Sequence, residues 1–187
     1  MALAMKLGSV VTASLAAVIT ALLAGLYFGA ESVATRPMVS SAVTTDAVAQ
    51  LFASHLDDVQ GQPHAFSRWQ GKTLVVNFWA TWCPPCRQEM PVFSRLQDRY
   101  AAQGVQFVGI ALDSTESVRA FAGRSPVNYP LLIGGPEGVV LAQALGNSSL
   151  SLPYTLVLSP QREPLLIRMG PLSESELERI LAMAPAP

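Results

Sequence analysis

The only two cysteines in a chain of 187 residues stand two residues apart, in Cys83-Pro84-Pro85-Cys86. At that spacing the sulfurs can be joined and parted as one disulfide, and a C-x-x-C pair between a strand and a helix is a signature of dithiol redox chemistry. The flanking residues predict both elements. Leu74-Val75-Val76-Asn77-Phe78-Trp79-Ala80 is an apolar, β-branched and aromatic run of strand length, suited to a strand covered on both faces. Helix-compatible sequence follows Cys83 to about Gln103, with Gly104 as its stop.

Cys83 falls where a helix cap would sit, among unpaired backbone N–H groups at the positive end of the helix dipole. That setting lowers a thiol pKa, and the thiolate is the reactive form. Pro84 takes the first helical position, where a missing N–H costs nothing. Pro85 deletes a second donor. The Cys83 thiolate then depends on the N–H of Cys86 and on the charge of Arg87, which predicts moderate stabilisation. Two other uses of the pair fit less well. A structural bridge closing so short a loop adds little stability. A structural zinc site needs about four ligands, and His55 and His64 lack zinc-finger spacing. Glu89 lies one helical turn past Cys86, so both point to the same side. It is either a solvated surface carboxylate or a proton-transfer group. Asn77, the one polar residue of the strand run, is either a hydrogen-bonded core residue or a support for the site.

Half the residues are hydrophobic and 13% are charged, and the net charge of −1 gives no basis for nucleic-acid binding. Residues 7–30 form a stretch of 24 residues without a charge. As a helix it would reach about 36 Å, enough for a bilayer core of about 30 Å. Residues 1–30 are therefore expected to be a signal anchor, with the short N-terminal end cytoplasmic. A signal peptide cleaved after Ser32-Val33-Ala34 is the rival, but the apolar run exceeds a typical h-region. Residues 31–49 are expected to be a linker, although Val43 to Phe52 would also suit a first strand or helix. The domain itself is expected over residues 50–187.

Within that domain, Leu51 to Trp69 suggests an entry hairpin around the turn-rich Asp57 to Pro63. His64 is placed on its surface. In the long helix, Pro91 should produce a kink, Val92, Phe93 and Leu96 a core face, and Arg95, Asp98 and Arg99 a solvated one. Val105 to Leu112 reads as a second core strand, and Asp113-Ser114 as the cap of a helix ending before Ser125. Tyr129 to Ile133 reads as a short strand, Pro136 to Leu145 as a helix closed by Gly146, and Tyr154 to Leu158 and Pro164 to Met169 as the last strands. Ser173-x-x-Glu176 is a capping box for a final helix to about Ala184. Strands alternating with helices, then a terminal hairpin and helix, predict an α/β domain with a mixed central sheet flanked by helices.

The segment Val76-Asn77-Phe78-Trp79-Ala80-Thr81-Trp82-Cys83-Pro84-Pro85-Cys86-Arg87-Gln88-Glu89-Met90-Pro91 resembles the active-site segment of the TlpA-like branch of the thioredoxin superfamily. That branch is membrane-anchored and extracytoplasmic, and includes the thiol-disulfide reductases of cytochrome c maturation. The resemblance implies a thioredoxin-like fold with an N-terminal hairpin and anchor helix. It implies that Cys83 attacks a substrate disulfide, that Cys86 resolves the mixed disulfide, and that Glu89 moves a proton to or from Cys86. Pro153 would be the cis-proline facing the cysteine pair. With Leu152, Trp82, Pro84 and Pro85 it would hold the substrate chain. Tyr154 departs from the small or acidic residue usual after this proline. No cofactor and no metal are implied. The partners implied are a disulfide-containing protein substrate and an inner-membrane electron donor that re-reduces the dithiol. The place implied is the bacterial inner membrane, single-pass, with the catalytic domain in the periplasm. A disulfide oxidase or isomerase on the same fold is the first rival. A copper-binding chaperone is the second, but related chaperones have three residues between their cysteines and a late histidine, and this chain has no histidine after His64.

Overall fold

Seven consecutive residues, Thr73–Trp79, are all buried. A strand of that kind must be covered on both faces. In the computed structural model, which describes residues 43–185, it is the centre of a five-stranded sheet. In chain order the elements are helix α1 (Thr45–Ala53), strands β1 (His55–Asp57), β2 (Pro63–Ala65) and β3 (Thr73–Trp79), helix α2 (Pro84–Tyr100), strand β4 (Val105–Ala111), helix α3 (Thr115–Arg124), strand β5 (Leu131–Ile133), helix α4 (Gly135–Ala144), strands β6 (Tyr154–Leu158) and β7 (Pro164–Met169), and helix α5 (Glu174–Met183). The sheet order is β5-β4-β3-β6-β7. β3, β4 and β5 run parallel, and β6 is antiparallel to both β3 and β7, so the sheet is mixed.

Alternation along β3 sorts the core into two layers. Val75 and Trp79 pack with side chains of α2, α3 and α5, including Phe93, Leu96, Phe121 and Leu177. Leu74, Val76 and Phe78 pack with α1 and α4 side chains, including Leu51, Phe52 and Leu141. Asn77 shares the parity of Val75 and Trp79, so it belongs to the α2 side.

Local signals set most element ends. Cys83 caps α2, Ser114 caps α3, and Ser173 caps α5 by accepting from the N–H of Glu176. The capping box is only half made, because the Glu176 carboxylate pairs with Arg168. α2 passes through Pro91 without a break in the helix and ends in a short 3-10 turn. There Gly104 takes φ 81°, the left-handed conformation that glycine adopts at little cost. Gln97, on the buried face of α2, accepts from the N–H of Phe107 at 2.8 Å and so fixes the helix to β4.

Two boundaries differ from the expectations above. The linker reading of residues 31–49 fails at its end, since α1 begins at Thr45. Thr44 caps it by accepting from the N–H of Ala47, and Ala47, Val48, Leu51 and Phe52 form one buried face. The hairpin is also shorter than Leu51 to Trp69. Residues 51–53 finish α1, and Phe66–Trp69 is a 3-10 turn, leaving β1 and β2 as an antiparallel pair outside the main sheet. Asp58 closes its turn, taking N–H bonds from Gln60 and Gln62 and pairing with His64 Nε2 at 2.9 Å. The expected anchor, residues 1–30, lies outside the described residues.

Gly109 on β4 is fixed by close approach. A Cβ there would stand 2.8 Å from Leu131 Cδ2 and 3.1 Å from Trp79 Nε1. Gly109→Ala is expected to lower stability by about 1–3 kcal/mol, as overpacking does. The denaturant midpoint of the variant against the wild type checks this.

Candidate active site

β3 ends at Trp79, and the chain turns through Ala80, Thr81 and Trp82 into the cap of α2. The turn is held at both ends. The N–H of Cys83 donates to Ala80 O at 3.1 Å, and the N–H of Leu112 donates to Trp79 O at 2.8 Å. The N–H and hydroxyl of Thr81 both donate to Asp113 Oδ2, just beyond β4. Burial pulls the Asp113 carboxyl upward, but the bonds from Thr81 and the N–H of Ser114 outweigh it and hold the group below its ordinary pKa. Asp113 therefore stays a carboxylate and pins the turn.

Cys83 and Cys86 are joined as a disulfide. Cys83 is 3% exposed and Cys86 is fully buried. The N–H of Cys86 points at Cys83 Sγ at 3.3 Å. This is the donor that remains once Pro84 and Pro85 have removed theirs. Pro84 is exposed and Pro85 half-buried, while Trp82 stands out at 66% exposure. The peptide bond between Leu152 and Pro153 is cis, and Leu152 is half-buried. The β3–β6 register pairs Phe78 with Tyr154, so the buried Pro153 comes level with Trp79, at the dithiol end of the sheet.

Glu89 is buried at 5% exposure, which removes the solvated-surface alternative. Its Oε1 accepts from Asn77 Nδ2 at 2.9 Å and its Oε2 from the N–H of Leu172 at 3.2 Å. Asn77 Nδ2 also donates to Thr155 Oγ1 at 3.0 Å. Burial raises the Glu89 pKa to about 7, and the bonds from Leu172 and Asn77 pull it back only in part. A carboxyl poised there can give or take a proton at neutral pH, one turn from the buried Cys86 sulfur. Tyr129 is buried nearby and its hydroxyl has no partner among the described residues. Burial, aided by the Glu89 charge, pushes its pKa up.

The fold thus brings Cys83, Cys86, Glu89 and Pro153 to one end of the sheet. Asn77 is part of the carboxyl's hydrogen-bonding shell. Sequence reasoning missed Thr155, Leu172, Asp113 and Thr81 in these roles. A threonine in an apolar strand was the only available signal for Thr155, and a backbone N–H such as that of Leu172 has none.

A disulfide across the start of the helix after the central strand, with a cis-proline strand beside it, defines a thiol-disulfide oxidoreductase of thioredoxin-like fold. Residues 46–163 match the AhpC/TSA family. The chain is 33% identical over 127 residues to thiol-disulfide oxidoreductase ResA of Geobacillus kaustophilus, covering 67% of this chain and 71% of that protein. It is 34% identical over 130 residues to thioredoxin-like protein YneN of Bacillus subtilis, covering 67% and 73%. The crystal structure of a thiol:disulfide interchange protein of the thioredoxin family from Chlorobium tepidum superposes with a TM-score of 0.61 at 31% identity, covering 70% of this chain and 92% of that one. The chain belongs to the AhpC/TSA family, a thioredoxin-like family, and its likeness to these relatives agrees with the TlpA-like resemblance of its active-site segment.

The raised Glu89 pKa carries a stability consequence. Between about pH 4.5 and pH 7 the unfolded chain has lost this proton while the folded protein keeps it. Stability therefore falls as pH rises through that window, by about 3 kcal/mol in all, and the Glu89 contribution is flat above it. Glu89→Gln is expected to remove this slope. Urea unfolding of the oxidised wild type and variant at several pH values measures it.

Proposed function

We propose that the protein is an extracytoplasmic disulfide reductase, held to the inner membrane of a bacterium by residues 7–30. The observation that carries this reading is the fully buried Cys86 sulfur with a buried carboxyl of pKa about 7 one helical turn away. In the reduced protein the Cys83 thiolate attacks a substrate disulfide. A bond forms from Cys83 Sγ to one substrate sulfur, and the other substrate sulfur leaves as a thiolate. Cys86 then gives its proton to Glu89 and attacks Cys83 Sγ. The second substrate sulfur is released, and the Cys83–Cys86 bridge forms. Two electrons have passed from the dithiol to the substrate. An inner-membrane dithiol donor restores them, and Glu89 returns the proton to Cys86. Protein disulfides are the substrate class, and the TlpA-like resemblance of the active-site segment supports a place in cytochrome c maturation. Trp82, exposed beside the bridge, and the Leu152-Pro153 turn offer the surfaces that would hold the substrate chain.

The reduction potential tests the direction. A value near −270 mV, as for thioredoxin, is expected, whereas one near −120 mV, as for the oxidant DsbA, would make the protein a disulfide oxidase. On the same substrates, Cys86→Ser should accumulate mixed disulfides without turnover, and Cys83→Ser should form none. Gel analysis after acid quenching distinguishes them, and equal turnover in both variants would sink the two-cysteine mechanism. For the anchor, the mature protein is expected to keep residues 7–30 and to stay with membranes through a high-salt wash. N-terminal sequencing that began at Thr35 would show cleavage instead.

A further inference from the structure

A groove of about 690 Å³ runs beside the dithiol helix, between α2 and the chain that leaves α3. Its volume is that of a binding cleft, about 300–1,000 Å³. The floor is apolar, made by the buried Met90 and Phe121 and the half-buried Val127. The rim is basic. Arg87, Arg95 and Arg124 line it, all three are exposed, and among the described residues no carboxylate lines it. The whole chain has 12 basic residues and a net charge of −1, so three arginines on one groove are a local concentration of charge. Arg95 is partly neutralised by Glu174 at 2.7 Å. Among the described residues, Arg87 and Arg124 have no acidic partner within 4.0 Å. Arg124 ends α3, where the helix dipole favours a cation. Arg87 lies in the first turn of α2, where the dipole disfavours a cation, and in the oxidised protein the Cys83 sulfur carries no charge to pair with it. Ser94 Oγ, buried on the groove wall, has no hydrogen-bond partner among the described residues.

We propose that this groove docks an extended segment of the disulfide-bearing protein substrate, with an apolar side chain on the floor and flanking carboxylates on Arg87 and Arg124. The inference rests on the thiol-disulfide exchange reading and adds a substrate class to it. Arg87 directly follows Cys86, so a segment bound here lies along the helix that carries the dithiol. The groove's concave apolar floor suits a polypeptide better than a flat lipid surface.

The test is binding to the oxidised wild-type protein, in which no free dithiol is present. Two fluorescein-labelled peptides are compared by anisotropy, one with Glu on both sides of a central Leu, the other with Gln at those positions. The acidic peptide is expected to bind roughly tenfold more tightly, the discrimination two surface ion pairs can supply, and to lose that advantage as salt rises. Arg124→Glu should abolish the preference, and a peptide with Lys in place of Glu should then bind the variant better than it binds the wild type. Arg124 is on a different helix from the dithiol, so reduction of a small aromatic disulfide should proceed at the wild-type rate in that variant. Equal affinity of the two peptides for the wild type, or a preference that survives Arg124→Glu, overturns the docking site. So does Arg124-dependent binding to phosphatidylglycerol vesicles without a peptide preference, which would assign the groove to lipid. Failure of the exchange reading would show separately, as no reduction of the small disulfide by the reduced wild type.

Discussion

A carboxyl group removed from water must be given hydrogen-bond donors, and meeting that need for Glu89 joins four separate stretches of the chain. The acid stands on α2. One donor comes from Asn77 on the central strand and the other from the N–H of Leu172, ahead of α5. Thr155 on β6 takes a bond from the same Asn77 nitrogen. Two donors are enough to keep the carboxyl in place but not to offset its burial, and its pKa rests near 7. With more donors the group would stay ionised at neutral pH. With none it would stay protonated. The imbalance is what suits it to exchange a proton with the neighbouring thiol.

The two sulfurs are handled differently by the same helix end. Cys83 is the cap residue and receives the N–H of Cys86, the donor the two prolines leave in place. Cys86 lies one turn in and is wholly covered. An attacking sulfur needs a stabilised thiolate, whereas a resolving sulfur needs a base at hand. The division follows from the helix geometry. The Thr81–Asp113 pair then fixes the turn before Cys83 to the strand ends, so the cap is set by the sheet and not by a loose loop.

α2 serves two surfaces at once. Cys86, Glu89, Met90, Phe93, Leu96 and Gln97 recur at helical spacing and face the sheet. Arg87, Pro91 and Arg95, spaced four apart, form the row along the groove. The proline in this row is exposed, and it interrupts neither the helix nor the buried face. The buried row that carries Cys86 and Glu89 and the exposed row along the groove therefore stand in fixed relation on one helix.

Much of this could be read along the chain, because it depends on near neighbours. The strand run before Cys83, the spacing of the cysteines, the caps at Ser114 and Ser173 and the stop at Gly104 are all local patterns. α1 was less legible. Its small and polar residues resemble a linker, and its buried face has meaning only once Leu51 and Phe52 meet the layer beneath the sheet. The choice between a solvated and a buried Glu89 was not legible from helix spacing. Its helix position is the same in either case. The difference comes from Leu172, 83 residues away, and from Asn77, whose own partner Thr155 is 78 residues further on. The sequence by itself determined which atoms could exchange electrons, since sulfur identity, spacing and helix start are local properties. Only the tertiary structure decided that Glu89 is poised to exchange a proton at neutral pH, because desolvation and donor supply are set by segments that meet only when the chain is folded.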